Sequence, residues 1–284
     1  QIKLVMNDTK TCPDTGMAGA SRSLYMDGNA TIIAANKLLA AMRKEDGTLR
    51  TYDEMKAEGI ETKYLGRYET NTTPGLCRLD PNTGIGDPTP AFTYCLNLAE
   101  VEVDTKTGKT TVLKFTCVDF VGRIGNIDAV NGQAYSGIMH GIGFALKEDY
   151  ADVKKHANMF GAGTSYIKDV PDDINLIHID GAISDGPFGS SGASEAFQAS
   201  GHCAVLNGIY NACGVRIHEI PALPEKVKAG LDAIAKGEKP YEPKKYFLGS
   251  DMYEELENIK ENPVQVGTQS FYVSLDDPTA ERPF

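Results

Sequence analysis

The chain has 284 residues and a mass of 30.6 kDa, enough for one large domain or two small ones. Its 28 lysines and arginines stand against 39 aspartates and glutamates, a net charge of −11, which argues against nucleic acid or an anionic membrane as a partner held by bulk charge. No apolar run approaches the roughly 18 residues of a membrane-spanning helix. The opening Gln1-Ile2-Lys3-Leu4-Val5 also lacks the basic-then-apolar pattern of a signal peptide.

In chain order, residues 1–6 read as a short strand and Asn7 to Gly28 as a turn-rich stretch. Ile32, Ala35, Leu38, Leu39 and Met42 fall at helical spacing, predicting a helix from about Asn29 to Lys44. Residues 45–65 form a polar connection with a short helix near Tyr52–Glu58. Residues 70–95 carry repeated turn signals, Thr73-Pro74-Gly75, Asp80-Pro81-Asn82-Thr83-Gly84 and Asp87-Pro88-Thr89-Pro90, a loop of a length that often carries function. A hairpin follows: Ala99, Val101 and Val103 alternate with Glu100, Glu102 and Asp104, Thr107-Gly108 turns, and Val112 to Val118 returns. Asp119 to Gly132 is turn-rich again and leads into a helix in which Gly137 and Gly141 share a face for close packing. Asn175 to Ile179 reads as a strand, and Gly181 to Gly192 is glycine-dense. A helix runs from about Ser200 to Cys213, ended by Gly214, and Val215 to Ile220 reads as a strand. Pro224 opens a last helix that runs to Gly237. Residues 1–237 are thus one domain, and 238–284 an extended tail whose Tyr246, Phe247, Phe271 and Tyr272 suit it to docking on a surface.

The six cysteines (Cys12, Cys77, Cys95, Cys117, Cys203, Cys213) form no C-x-x-C pair and no zinc- or cluster-like spacing, and the five histidines are scattered. Without an export signal, reduced thiols in a cytoplasm are the expectation. Any metal should arrive inside a cofactor. Three small-residue segments each lead toward a helix: Thr11 to Arg22, Asp119 to Gln133, and Gly186 to Glu195. Small residues expose main-chain N–H groups and helix N-termini favour anions, so such segments suit a phosphate-bearing ligand as well as plain turns. Glu195 follows the third segment and precedes Ala196-Phe197. Among small and apolar neighbours a carboxylate is expected to be poorly solvated and fitted for general-base work. The other reading of Glu195 is a helix-start carboxylate in favourable dipole contact.

Taken together, the stretches CPDTGMAGASRSLYMDGNA (12–30), DPNTGIGDPTPAFTYCLNLAEVEVDTKTGKTTV (80–112), GNIDAVNGQAYSGIMHGIGFAL (125–146), DGPFGSSGASEAF (185–197) and NACGVRIHEIPALPEKV (211–227) resemble the molybdenum hydroxylases, the xanthine dehydrogenase/aldehyde oxidoreductase family. The likeness is to the C-terminal half of the molybdopterin-binding domain, and to prokaryotic aldehyde oxidoreductases above the rest. It runs from about Asp8 to Ala235.

The resemblance implies an α+β fold and a pterin dithiolene cofactor that holds molybdenum through its own sulfurs, in many prokaryotic members as the cytosine dinucleotide. It implies that Ala18, Gly19, Ala20, Ser21, Arg22, Gly125, Asn126, Gly132 and Gln133 approach the cofactor, many through main-chain groups. Ser190, Ser191, Gly192 and Ala193 would line it beside the metal, and Glu195 falls on the catalytic glutamate. The implied reaction is hydroxylation with water-derived oxygen and Glu195 as general base. An aldehyde is the favoured small-molecule substrate, and a carbon beside a ring nitrogen of a purine- or pyridine-type heterocycle is the runner-up. Three departures stand out. The family run G-x-G-E is here Gly192-Ala193-Ser194-Glu195, so Ser194 adds a side chain where close approach is expected. Residues 119–133 are one longer than the usual pattern. Ala18 and Ala20 replace positions often held by Ser and Gly.

The family's N-terminal cofactor-binding half and its iron–sulfur domains do not occur in these 284 residues. The expectation is therefore a subunit of a split enzyme or a fragment of a longer chain. Its partners would be a second molybdopterin-binding chain and a two-cluster iron–sulfur chain, with a flavin (FAD) chain compatible but not required. A non-catalytic subunit that only shapes the cofactor site, and a plain acidic interaction module, are the readings from other classes.

Overall fold

The computed structural model describes residues 2–5, 8, 10–13, 19–70, 89, 91–152 and 154–238. Most of the loop expected over 70–95 and nearly all of the tail expected over 238–284 lie outside these residues. The fold is α+β, as the sequence leads one to expect.

Strands β1 (Tyr94–Val103) and β2 (Thr110–Phe120) form the expected antiparallel hairpin. Its turn is held by the Asp104 carbonyl, which accepts the N–H groups of Thr107 and Gly108, and Gly108 takes the left-handed φ of +78°. Strand β3 (Asp173–His178) then pairs parallel to β2, giving the order β1-β2-β3. A parallel neighbour needs a crossover connection, and helix α3 (Ile127–Leu146) lies in it. Phe115, Cys117 and Asp119 alternate toward the inner face of the sheet and are buried there. Helices α3, α5 (Ser194–Ala199) and α6 (Gly201–Cys213), numbered so that α4 is Met159–Ala162, cover that face. Ile138, Ile142, Phe197 and Val205 complete the main core. A second cluster joins Ile209, Val215, Ile217 and Ala222 to Val227 of helix α7 (Pro224–Ala235).

The small-residue face of α3 behaves as its spacing suggests. A Cβ added at Gly137 would lie 2.6 Å from Cβ of Phe197, and one at Gly141 2.9 Å from Cα of Gly201. Helix α2 (Tyr52–Ala57) starts on a reciprocal cap between Thr51 and Glu54. Lys44, through its hydrogen bond, and Thr51 hold the Glu54 carboxyl down at about 2. Gly214 ends α6 at φ +76°, and Pro224 opens α7.

Four expectations need correction. Residues 2–5 form no strand and are exposed, and Val215 to Ile220 is irregular, with Val215 and Ile217 packed on α7 rather than on a strand. Strands need hydrogen-bonded neighbours, and neither segment has one among the described residues. Helix α1 runs Ser23–Met42 and so starts six residues before Asn29. Gly28 does not stop it, because Pro187 packs where a Cβ would stand. Helix α3 begins at Ile127, placing Gly132 inside the helix rather than in a turn. No described helix is long and apolar enough to cross a membrane.

Two glycines of α3 should respond oppositely to alanine. Gly132→Ala meets open space and should stabilise the chain by about 0.5–1 kcal/mol through helix propensity. Gly137→Ala should cost about 1–3 kcal/mol by overpacking against Phe197. Urea unfolding of both variants reads the two signs directly.

Candidate functional site

Because β2 and β3 run the same way, they end at the same edge, and the second and third small-residue segments both leave from there. Main-chain and side-chain bonds stitch these segments together. Gly122 and Ser190 form an isolated antiparallel bridge. The Gly189 carbonyl accepts the N–H groups of Arg123 (2.9 Å) and Ile183 (3.0 Å), and Ser190 Oγ donates to the Arg123 carbonyl at 2.7 Å. Ser190 and Ala193 are buried, with Ser191 and Gly192 half-buried beside them. Within the turn Pro187–Gly189, Phe188 holds a left-handed φ of +52° while remaining 82% exposed.

The first segment joins the third through one hydroxyl. Ala20 and Ser21 take φ of +54° and +52°, a region that non-glycine residues rarely adopt and that is often found at functional sites. Ser21 Oγ accepts the Glu195 N–H at 2.9 Å, donates to Glu195 Oε2 at 3.0 Å and lies 3.0 Å from Ser194 Oγ. Ala193, at the start of α5, supplies no cap of its own. Ser21, 174 residues before Glu195, caps that helix in its place. A Cβ at Gly192 would overlap the Ser21 carbonyl, so glycine is required there for the two segments to touch. Ser194, the departure from the family run, is accommodated as a hydrogen-bonding partner.

Glu195 itself is exposed on the first turn of α5. The expectation that neighbouring small and apolar residues desolvate it is therefore corrected: its side chain points away from the apolar core that Phe197 enters. The other expected residues divide by surface. Gly19, Ser21 and Arg22 are half-buried and Ala20 is exposed, while Ala18 lies outside the described residues. Gly125, Asn126, Gly132 and Gln133 are exposed, and a Cβ at Gly125 or Gly132 would meet nothing within 4 Å. The Asn126 side chain is occupied in capping α3, accepting the Ala129 N–H at 3.0 Å.

One group beneath the site was not singled out from sequence. His178, the last residue of β3, places Nδ1 2.7 Å from Asp119 Oδ2 and Nε2 2.8 Å from Asn131 Oδ1. Asp119 is 1% exposed. Burial pushes its carboxyl above the usual range, and the His178 bond partly offsets this. A charged residue at an inward position of β2 was the signal that could have found it.

The site thus offers main-chain groups, small side chains and, at the Ser21 junction, the exposed Glu195 carboxylate. Among the described residues no group of three or more His, Cys, Asp or Glu could hold a metal ion. The donor set fits a large cofactor that carries its own metal ligands and is gripped through the main chain. Such a site defines a cofactor-binding domain. A profile of the molybdopterin cofactor-binding domain matches residues 1–171. The aldehyde oxidoreductase of Megalodesulfovibrio gigas is 42% identical over 233 residues, 82% of this chain and 25% of that protein. The 6-hydroxypseudooxynicotine dehydrogenase complex subunit gamma of Paenarthrobacter nicotinovorans is 24% identical over 84% of this chain and 33% of its own length. The crystal structure of the aldehyde oxidoreductase from Desulfovibrio desulfuricans is similar at a TM-score of 0.73 and 44% identity, covering 79% of this chain and 24% of that one. The chain belongs to the molybdopterin-binding domain family of the molybdenum hydroxylases, of aldehyde oxidoreductase and xanthine dehydrogenase type. It spans about a quarter of the aldehyde oxidoreductases it matches.

Ser21→Ala removes the cap of α5 and the tether of Glu195 together. It should cost about 1 kcal/mol, as the loss of a serine cap does, read as a lower urea midpoint at unchanged slope.

Proposed function

We infer that this chain provides the glutamate-bearing half of the cofactor site in a molybdenum hydroxylase that oxidises an aldehyde to a carboxylic acid. The observation that carries this is the Ser21–Glu195 junction. It holds the Glu195 carboxylate where two segments meet that the family resemblance associates with the cofactor. The identities of 42% and 44% to aldehyde oxidoreductases support the substrate class.

The molybdenum–pterin group, when bound, supplies the two-electron redox chemistry, with water as the source of oxygen. The chain's own residues bind it and manage the proton. The main chain of Gly19–Arg22, Gly125, Asn126, Gly132 and Gln133, with Ala18 before them, would grip the cofactor, in the cytosine dinucleotide form. Ser190–Ala193 would face its metal end. The Ser21 hydroxyl fixes Glu195 Oε2, leaving Oε1 to accept the proton as general base. Because Glu195 is exposed here, exclusion of water from it falls to whatever covers this face. A second molybdopterin-binding polypeptide is the proposed cover. A two-cluster iron–sulfur chain would carry the electrons away, and a flavin chain beyond it is compatible but not required.

Glu195→Gln in the holoenzyme should lower kcat for an aldehyde by at least about 100-fold, the usual scale of a lost general base. Molybdenum and nucleotide content should stay at the wild-type level. Retained turnover would remove Glu195 from its role and favour the cofactor-shaping reading.

A further inference from the structure

We propose that Asp119, His178 and Asn131 form a clasp that sets the strand ends and the first turns of α3 for cofactor binding, with His178 as the central positioning residue. The cofactor half of this statement rests on the preceding assignment of residues 125–133.

The argument begins with where the three residues sit. Asp119 and His178 are cross-strand partners in the β2–β3 register, and both face the inner side. They occur at the shared edge from which the second and third segments depart. The main chain already links them onward, since the Ile179 N–H donates to the Asp119 carbonyl at 2.8 Å. The side chains add a second link at 2.7 Å, and the far side of the imidazole reaches Asn131 at 2.8 Å. Asn131 immediately precedes Gly132 and Gln133. One planar ring therefore fixes the separation of three elements: the end of β2, the end of β3 and the second turn of α3.

The chemistry makes this spacing hard to relax. Each ring nitrogen lies within hydrogen-bonding distance of a partner side chain, so the ring is held at both ends. Asp119 Oδ1 is buried with no hydrogen-bond partner among the described residues, so the carboxylate depends on its other oxygen. The thiols beside it are engaged with each other: Cys95, opposite Asp119 on β1, lies 3.4 Å from Cys117, two residues before Asp119. A buried carboxylate with a single side-chain partner holds that partner in place, because its loss leaves the charge uncompensated. Of residues 125–133, only Val130 and Asn131 are half-buried; Val130 packs on the main core, and the clasp adds a polar anchor to the sheet from the same turn. It acts through α3 and touches no reacting atom.

The test uses the full-length protein, prepared both with cofactor and from a host unable to make molybdopterin. Asn131→Leu breaks only the α3 arm and leaves the buried Asp119–His178 pair intact. In the cofactor-free protein, amide exchange over residues 121–133 should quicken by at least about tenfold, as expected for a lost bond of this kind. Exchange over Ile138–Leu146 should not change. In the holoprotein, molybdenum and pterin should dissociate faster by a similar factor. Asn131→Asp keeps an acceptor oxygen in place and should restore both readings. Unchanged exchange in Asn131→Leu overturns the clasp. Faster exchange with unchanged cofactor release overturns its role toward the cofactor. A wild-type protein that takes up no molybdopterin overturns the proposed function instead, which the exchange measurement keeps separate.

Discussion

Neighbouring strands that run in the same direction must finish at the same edge. The parallel pairing of β2 with β3 is the constraint on which the rest of this structure depends. It obliges the chain to cross over through α3 and return. It delivers the segments after Asp119 and after His178 side by side, where Gly122 and Ser190 can bridge. The edge where strands end leaves main-chain groups unpaired by the sheet, so it suits gripping a ligand, whereas the packed inner face does not. The glycines of α3 serve the same arrangement from the other side. They let Phe197 and Gly201 approach closely enough for α5 to present Glu195 at that edge.

The site is built with a division between what is buried and what is offered. Ser190, Ala193, Asp119 and Phe197 turn inward and hold the frame. Gly125, Asn126, Gly132, Gln133 and Glu195 turn outward. Left-handed backbone at Ala20, Ser21 and Phe188 shows that the outward surface is held against local preference, which surrounding packing and hydrogen bonds must sustain. The surface so offered is an exposed carboxylate beside exposed main chain, in a chain that spans about a quarter of the aldehyde oxidoreductases it matches.

What the sequence made legible follows from the range of the forces involved. The β1–β2 hairpin, α2, α6 and α7 carry their own periodicity, turns and caps, so local pattern suffices for them. The runs at 1–6 and 215–220 have strand-like composition, but a strand exists only with a partner, and composition does not encode the partner. The turn-rich composition of Asn7 to Gly28 hides the first six residues of helix α1, where the glycine at 28 answers to Pro187, 159 positions further on. Helix α5 was missed for a similar reason, since its cap comes from Ser21. The three segments and Glu195 were visible as composition and as a family likeness. Their stitching was not, because each bond joins residues far apart in the chain. The burial that would make Glu195 a tuned base was inferred from its sequence neighbours, and its spatial neighbours do not provide it.

The hydroxyl of Ser21 couples the first small-residue segment to helix α5, far along the chain. A contact spanning 174 residues is strongly non-local, and closing so long a loop is entropically costly before any bond repays it. The Ser21 bond can order the carboxylate only after residue 195 has been made and the two segments have met. A ribosome-bound intermediate that lacks α5 would carry the Ser21 hydroxyl without the helix it caps, so the first segment is made long before the contact that ties it down.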